Sequence, residues 1–292
     1  MPESFLKKNP SEESLSMLLK LYENLEYNLA IDLAILISRD FPHHSLSWKV
    51  LGVIYRQKGL LDDSLIFNQK AVQVDPEDPD CHNNLSNCFR ALGRLDEAQV
   101  SIEKAIILNP KAANYYINLG LVFHDMRKFN EAEISNRKAI SLNPTYDAYF
   151  GLGVTLYKLN RLKEAEESFR YSIKLNEFYA QSYCNLGVVL NDLLRFDEAE
   201  AFYKKSISLE PEHAPSYNNL GVTLGHARKF DEAEESYRKA ISIDNNYKDA
   251  IAGLGDILIQ KGKYKEGLIN LRIGNGSIFF NIKNGLSVIS KI

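Results

Sequence analysis

The sequence predicts an all-α solenoid of antiparallel helix pairs, followed by a short C-terminal β-hairpin. The first observation is the regular spacing of proline, which recurs every 34 residues at Pro42, Pro76, Pro110 and Pro144. The second is a helical motif that recurs in phase with those prolines, and the third is a short connector between two apolar helical stretches. Fixed periods of this length are typical of stacked repeats and not of one globular core.

The first helix of each repeat is marked by an aromatic residue, a leucine three positions later and a small residue directly after it. Tyr116, Leu119 and Gly120 are one example, and Phe123 completes one face of a helix with a period of 3.6 residues. Glycine destabilises a helix interior, so its recurrence predicts a close crossing with the second helix. The small residues are Gly52, Ser86, Gly120, Gly153, Gly187, Gly221 and Gly255. We expect them to face the small residues of the second helix, which are Ser64, Ala98, Ala132, Ala165, Ala199, Ala233 and Gly267.

The second helix has a start and a stop signal. Asp96 followed by Gln99 has the spacing of a reciprocal capping arrangement, which predicts that Asp96 is the N-cap. The same spacing recurs at Asn130 and Glu133, Asp197 and Glu200, and Asp231 and Glu234. The helix should end before Pro110 and its equivalents, because proline cannot continue a helix and disfavours helical geometry in its predecessor.

The repeats account for residues 11–272, about eight units, with an N-terminal segment at residues 1–10 and a tail at residues 273–292. The fourth unit is one residue short between Pro144 and Gly153. We expect this deletion in the turn between repeats, where loops tolerate changes of length.

This pattern resembles the tetratricopeptide repeat (TPR), and the resemblance is carried by Trp48-x-x-Leu51-Gly52-x-x-Tyr55 and its copies. It implies a right-handed superhelix whose first helices line a concave groove. It also implies that the residue before the motif leucine points into this groove. That residue is an asparagine in four repeats, namely Asn84, Asn118, Asn185 and Asn219, with Val50, Gly151 and Gly253 as interruptions.

An asparagine amide has both a donor and an acceptor, so a row of asparagines can bind the backbone of an extended peptide. The row resembles the asparagine ladder in the TPR arm of O-GlcNAc transferases, which implies a protein or peptide ligand; the alternative is that asparagine here serves helix packing. Lys49 and Arg90 leave room for the carboxylate clamp of other TPR proteins, although its full residue set is not evident. The same helix phase adds further groove candidates: Asn83, Asn87, Arg90, His124, Tyr157, Asn191, Asp192, Asn218 and His226.

Composition argues against several classes of function. The net charge is −3 and the pI is near 6.1, with no basic stripe, so we expect no nucleic-acid partner. No stretch is apolar enough for a signal peptide or a membrane span, and three cysteines do not make a disulfide framework, which together predict a cytoplasmic protein. Cys81, His82 and Cys88 lie on one short helical stretch without a second ligand pair, so we expect no metal.

No motif for catalysis or for a cofactor is found. Gly151-Leu152-Gly153 lacks the third glycine of a dinucleotide fingerprint and lies inside a predicted helix. The patterns GxxxxGK[ST], HExxH and GxSxG do not occur, and the six histidines share no spacing with carboxylates. We therefore expect no catalytic residue, no cofactor and no enzyme activity.

The tail breaks the repeat pattern. Two apolar runs at residues 277–282 and 286–290 flank Asn284-Gly285, which predicts a β-hairpin. A lone hairpin is marginal in water. It should therefore pack on the last helices, pair with a partner or belong to a further domain.

Three functional hypotheses follow. The one we favour is a non-catalytic adaptor that binds an extended polypeptide in the groove. The second is the substrate-recruiting arm of a larger enzyme, such as a glycosyltransferase. The third is a self-associating homo-oligomer that uses its end repeats or the edge of the hairpin.

Overall fold

The computed structural model describes residues 9–275, 278–281 and 285–288. They form two compact units, which are divided between Pro144 and Thr145. The predicted N-terminal segment lies outside the described residues except for Asn9 and Pro10. The helices of unit 1 are α1 Glu12–Glu23, α2 Tyr27–Asp40, α3 Ser45–Gln57, α4 Leu61–Val74, α5 Pro79–Ala91, α6 Leu95–Leu108, α7 Ala113–Asp125 and α8 Phe129–Leu142.

Unit 2 contains eight helices and two short strands within its described residues. The strands pair antiparallel, with Ile278 opposite Val288 and Asn281 opposite Gly285. The remainder of the predicted hairpin, including Asn284, lies outside the described residues. The elements are α9 Tyr146–Lys158, α10 Leu162–Leu175, α11 Ala180–Asp192, α12 Phe196–Leu209, α13 Ala214–His226, α14 Phe230–Ile243, α15 Lys248–Gln260, α16 Tyr264–Asn275, β1 Ile278–Asn281 and β2 Gly285–Val288.

Consecutive helices pack as pairs, and the pairs stack within each unit. The first, odd-numbered helix of a pair also contacts the next odd-numbered helix: α1, α3, α5 and α7 in unit 1, and α9, α11, α13 and α15 in unit 2. Among the described residues no two even-numbered helices make a comparable contact. The odd-numbered helices of each unit therefore lie side by side on one face of that unit. We call this face the first-helix face.

The motif glycines allow the two helices of a pair to cross closely, as predicted. A Cβ added at Gly187 would lie 2.7 Å from the Tyr203 ring, so the ring and not Ala199 occupies the space beside this glycine. In the last pair, however, Gly255 faces Gly267, whose carbonyl oxygen would lie 2.9 Å from an added Cβ. The crossing prediction is correct, but the side chain that packs against Gly187 is Tyr203, four residues after the expected partner Ala199.

The predicted N-caps of the second helices are wrong. The N-cap of α6 is Arg94, without a side-chain capping bond, and Asp96 lies inside the first turn. The same shift occurs in α8, α12 and α14, whose N-caps are Lys128, Arg195 and Lys229. Carboxylates in a first turn interact favourably with the helix dipole. Arg94 also pairs with Glu97, at 2.5 Å, so the acidic cluster serves charge pairing and not capping.

The glutamates that were expected to complete the caps bind cations instead. Glu200, almost buried, accepts from Lys204 at 2.7 Å on its own helix and from Lys229 at 2.8 Å in the next repeat. This contact ties successive repeats together on the side of the second helices.

The deletion in the fourth unit falls in a turn, as predicted. Three residues separate Leu142, the end of α8, from Tyr146, the start of α9. Four residues separate Leu108 from Ala113 one repeat earlier.

Candidate functional site

Polar side chains on the first-helix face of unit 1 form a seam between α5 and α7. Asn118 donates from Nδ2 to Asn83 Oδ1 at 2.6 Å, and the Tyr115 hydroxyl donates to Asp80 Oδ1 at 2.6 Å. Burial and the bond to Asp80 raise the pKa of the Tyr115 phenol, so this group stays a neutral donor. The predicted groove residues Asn83 and Asn118 are thus brought together, but they bind each other.

Lys49 and Arg90, the two residues compatible with a carboxylate clamp, each form an ion pair within the protein. Lys49 lies 2.5 Å from Asp78, and although burial opposes the charge, this contact raises the pKa of Lys49. Arg90 lies 3.5 Å from Asp125, on the next first helix. Neither cation is free for a ligand carboxylate without first losing its own partner.

Other predicted residues of unit 1 keep unused hydrogen-bonding groups. Asn84 and Asn87, three positions apart on α5, are half-buried and make no side-chain hydrogen bond with any described residue. His124 has a buried Nε2 without a partner. Asn84 borders a cavity of about 260 Å³ beside Val50, where the asparagine row is interrupted.

The first-helix face of unit 2 has a similar seam. The Tyr157 hydroxyl donates to Asp192 Oδ2 at 2.8 Å, and burial, followed by this bond, raises the pKa of Tyr157 to about 12. Asn219 Nδ2 lies 3.8 Å from Cys184 Sγ, a weak contact with the neighbouring first helix.

Two further predicted residues of unit 2 are also used internally. Asn185 donates to the backbone oxygen of Gln181 on its own helix at 2.9 Å. Asn191 accepts from the Thr223 hydroxyl at 3.0 Å. Hence three of the four asparagines of the row make intramolecular contacts, and Asn84 is the exception.

The remaining two predicted residues, Asn218 and His226, border a cavity in unit 2. Its volume is about 420 Å³, and Gly253, one of the interruptions of the row, also lines it. Asn218 is 7% exposed and donates to Asn219 at 3.2 Å, but its Oδ1 is buried without a partner. His226 is exposed, and its ring packs edge-on against Phe196.

Sequence reasoning missed the partners of these residues, although the sequence contained a signal for them. The bonded pairs Asp80 and Tyr115, and Arg90 and Asp125, are each 35 positions apart, one repeat plus one residue. Complementary polar residues at this separation lie opposite each other on successive first helices. Searching for pairs 35 apart would have identified the seam.

The cysteines and histidines do not form a metal site in the described part of the chain. Cys81, Cys88 and Cys184 are buried, and His82 bonds through Nε2 to the Pro76 carbonyl oxygen at 2.8 Å. Within residues 9–275 and the two strands, no group of three potential ligands is positioned to hold a metal ion. None of the helices there is long and apolar enough to cross a bilayer.

Comparison with known proteins gives three kinds of result. Family models described as tetratricopeptide repeat match residues 79–112, 113–146, 146–179 and 178–246, together more than half of the 292 residues. No curated protein sequence gives a significant match. Solved structures, however, do match.

The Cut9–Hcn1 hetero-tetramer of APC/C matches with a TM-score of 0.75 and 18% identity, over 85% of this chain and 49% of that chain. The present chain therefore spans about half of that protein, and the likeness concerns the fold. YrrB, described as a TPR protein with an unusual peptide-binding site, matches with a TM-score of 0.50 and 27% identity, over 63% of this chain and 95% of its own. MamA matches with a TM-score of 0.50 and 26% identity, over 55% of this chain and 95% of its own.

Proposed function

This chain belongs to the tetratricopeptide repeat family, whose fold implies a protein-interaction scaffold, and we propose that its first-helix faces bind an extended polypeptide without catalysing a reaction. The observation that carries the proposal is a set of partly buried polar groups on these faces with unused hydrogen-bonding capacity. Asn84, Asn87, His124 Nε2 and Asn218 Oδ1 are its clearest members.

Unused polar groups on a half-buried surface favour a ligand that supplies both donors and acceptors. A buried polar atom without a partner costs about 1–3 kcal/mol relative to a bonded one. An extended peptide backbone has an N–H and a C=O at each residue, and in this conformation they are free to bond outward. Such a ligand can bond both the N–H groups and the carbonyl oxygens of the Asn84 and Asn87 amides, whereas a purely anionic or apolar ligand cannot.

In the proposed complex the asparagine row binds the peptide with only part of its hydrogen-bonding groups. Asn118 uses one N–H for Asn83 and keeps its carbonyl oxygen and a second N–H for a ligand. Asn84 keeps its whole amide. The seam therefore orients part of the row, and the remaining groups provide the contacts with the peptide.

A solved relative supports the choice of a peptide as ligand. YrrB, which is 27% identical to this chain over 63% of it, is described as having a peptide-binding site. The polar character of both first-helix faces is compatible with recognition of a backbone more than of one particular side chain.

The test uses a display library of random peptides selected on the full chain, followed by photo-crosslinking. A photoreactive amino acid is placed at Asn84, at Asn87 or at Asn185 on the first-helix faces. The matched controls are Val100 and Ile107, which are 68% and 73% exposed on α6, a second helix. Crosslinks from the first-helix positions alone are expected; crosslinks from Val100 and Ile107 alone would overturn the proposal.

A further inference from the structure

The cavity between α13 and α15 has a chemical character that sets it apart from the rest of the first-helix faces. Its walls include Asn218 and Gly225 from α13 and Asp249, Gly253 and Asp256 from α15, and its volume is about 420 Å³. We call it the Gly253 pocket.

The pocket lies where a glycine replaces the asparagine of the row. Gly253 lies 34 positions after Asn219, so the side chain that the row would place here is missing. The Tyr237 ring packs beneath it, with Cε1 only 2.5 Å from where a Cβ would lie. Tyr237 is 4% exposed, so its ring fills the position that a Cβ would take and forms a fixed wall of the pocket.

Two carboxylates lie on either side of Gly253 along α15. Asp249, Gly253 and Asp256 occupy positions i, i+4 and i+7, which lie on one face of a helix. Both carboxylates line the pocket, and no lysine or arginine among the described residues does. Partial burial raises the pKa of the Asp256 carboxyl.

An independent observation on the opposite wall also points to a donor ligand. Asn218 is 7% exposed and lines the pocket, and its Oδ1 is buried without a hydrogen-bond partner. Its Nδ2 already donates to Asn219. The group left over on this wall is therefore an acceptor, like the two carboxylates opposite it.

We propose that the Gly253 pocket binds the guanidinium group of an arginine side chain in the bound polypeptide, and this inference rests on the proposed function. A guanidinium presents five N–H donors in a planar fork and suits acceptors that approach from several directions. The Tyr237 ring provides an aromatic wall for the hydrocarbon stem or for the planar cation. A lysine ammonium, a compact point charge, uses the same acceptors less completely.

The experiment uses small probes, so that it does not depend on a known partner. N-acetyl-arginine amide and N-acetyl-norleucine amide are titrated into the full chain while the amide NMR signals of Gly225 and Gly253 are followed. The arginine probe should give a saturating shift that the norleucine probe does not give. Equal shifts with both probes would overturn the assignment.

Substitution provides the second measurement. Asp249→Asn combined with Asp256→Asn should weaken binding of the arginine probe by about tenfold, because charge-assisted hydrogen bonds to a cation contribute more than neutral ones. The matched control is Asp197→Asn, an exposed aspartate on α12 away from the pocket. Unchanged binding in the double variant would refute the role of the carboxylates.

The outcomes separate this inference from the proposed function. If selected peptides bind the chain and lose no affinity when their arginines are replaced by norleucine, the pocket inference fails and the peptide scaffold remains. If the arginine probe binds at Gly253 while crosslinks map to Val100 and Ile107, the pocket stands and the proposed function fails.

Discussion

The close crossing of α15 and α16 predicts that Gly255→Ala destabilises the last helix pair. An added Cβ would lie 2.8 Å from the backbone nitrogen of Leu271 and 2.9 Å from the carbonyl oxygen of Gly267. Ordinary contacts of this kind are about 3.5 Å long, so the helices must separate by about half an ångström. Backbone atoms cannot rotate away as a side chain can, so the whole crossing has to open.

The magnitude follows from two opposing effects. Overpacking a well-packed crossing costs about 1–3 kcal/mol, and the immovable backbone places this site at the upper end. Alanine is a better helix former than glycine by about 1 kcal/mol, which offsets part of that cost. The expected net loss is about 2 kcal/mol.

Gly225→Ala is the control, because Gly225 is also a glycine of a first helix, although it lies in the last turn of α13. The nearest atom to its added Cβ is the Cδ1 methyl of Ile257 at 3.2 Å, the end of a flexible side chain. This methyl can move, so the helix preference dominates and the variant should gain up to about 1 kcal/mol. The two alanine variants should therefore differ by about 3 kcal/mol.

Urea unfolding followed by circular dichroism gives the overall stability, and amide hydrogen exchange gives the local effect. The local measurement is needed because stacked repeats can unfold separately. Exchange of the α16 amides should accelerate about thirtyfold in Gly255→Ala, the factor that corresponds to about 2 kcal/mol. If Gly255→Ala is as stable as Gly225→Ala and α16 exchanges at the wild-type rate, the crossing argument is refuted.

Three further predictions concern buried polar groups. Burial opposes the charge of Glu234, but Lys261, Lys263 and Arg238 hold the pKa of its carboxyl at about 2 instead of the ordinary 4.5. The ionised carboxylate therefore stabilises the fold fully above pH 4.5, and this stabilisation is lost as the pH falls towards about 2. Glu234→Gln should lower the urea midpoint at neutral pH and flatten this acid dependence, whereas exposed Glu235→Gln should change neither. Tyr115→Phe removes the bond to the Asp80 carboxylate and should cost about 1–3 kcal/mol in urea unfolding; an unchanged midpoint would contradict the seam. Burial raises the pKa of the Cys81 thiol to about 12, so iodoacetamide should modify it slowly in the native protein and quickly in urea, and equal rates would show that it is accessible.

The periodicity of the sequence predicted the C-terminal ends of the second helices better than their starts, because a proline follows several of these helices at a fixed distance. Proline two positions after Leu108 ends α6, and the same spacing ends α8 at Leu142. The predicted starts of the second helices were two residues too late. The spacing of three between Asp96 and Gln99 is the same whether Asp96 is the N-cap or lies in the first turn, so the spacing alone cannot place the start of the helix. The backbone resolves the ambiguity, because Arg94 occupies the N-cap of α6.

The sequence predicted which helices carry the candidate residues, but it did not predict the hydrogen-bond partners of those residues. The resemblance to the TPR family implied that Asn84 and Asn118 lie on the concave side of the first helices, and this placement depends on each repeat alone. Whether such an amide already has a hydrogen-bond partner depends on which residues of the next first helix lie opposite it. The sequence of one helix alone does not give this register between helices. This offset places Asn118 opposite Asn83, whereas the Asn84 side chain makes no hydrogen bond with any described residue.

The same distinction decides how the asparagine row has to be tested. Asn118→Ala removes the proposed ligand contact and also leaves the Asn83 oxygen, in a residue only 8% exposed, without its donor. The loss of this donor costs about 1–3 kcal/mol. A loss of binding in that variant would combine a groove effect with a folding effect. Asn84→Ala breaks no intramolecular hydrogen bond among the described residues, so any loss of peptide affinity at unchanged stability reports on the groove itself. Because Asn84 and Asn118 share the same position in successive repeats, the difference between the two variants separates the row's role in binding from its role in holding the first helices together.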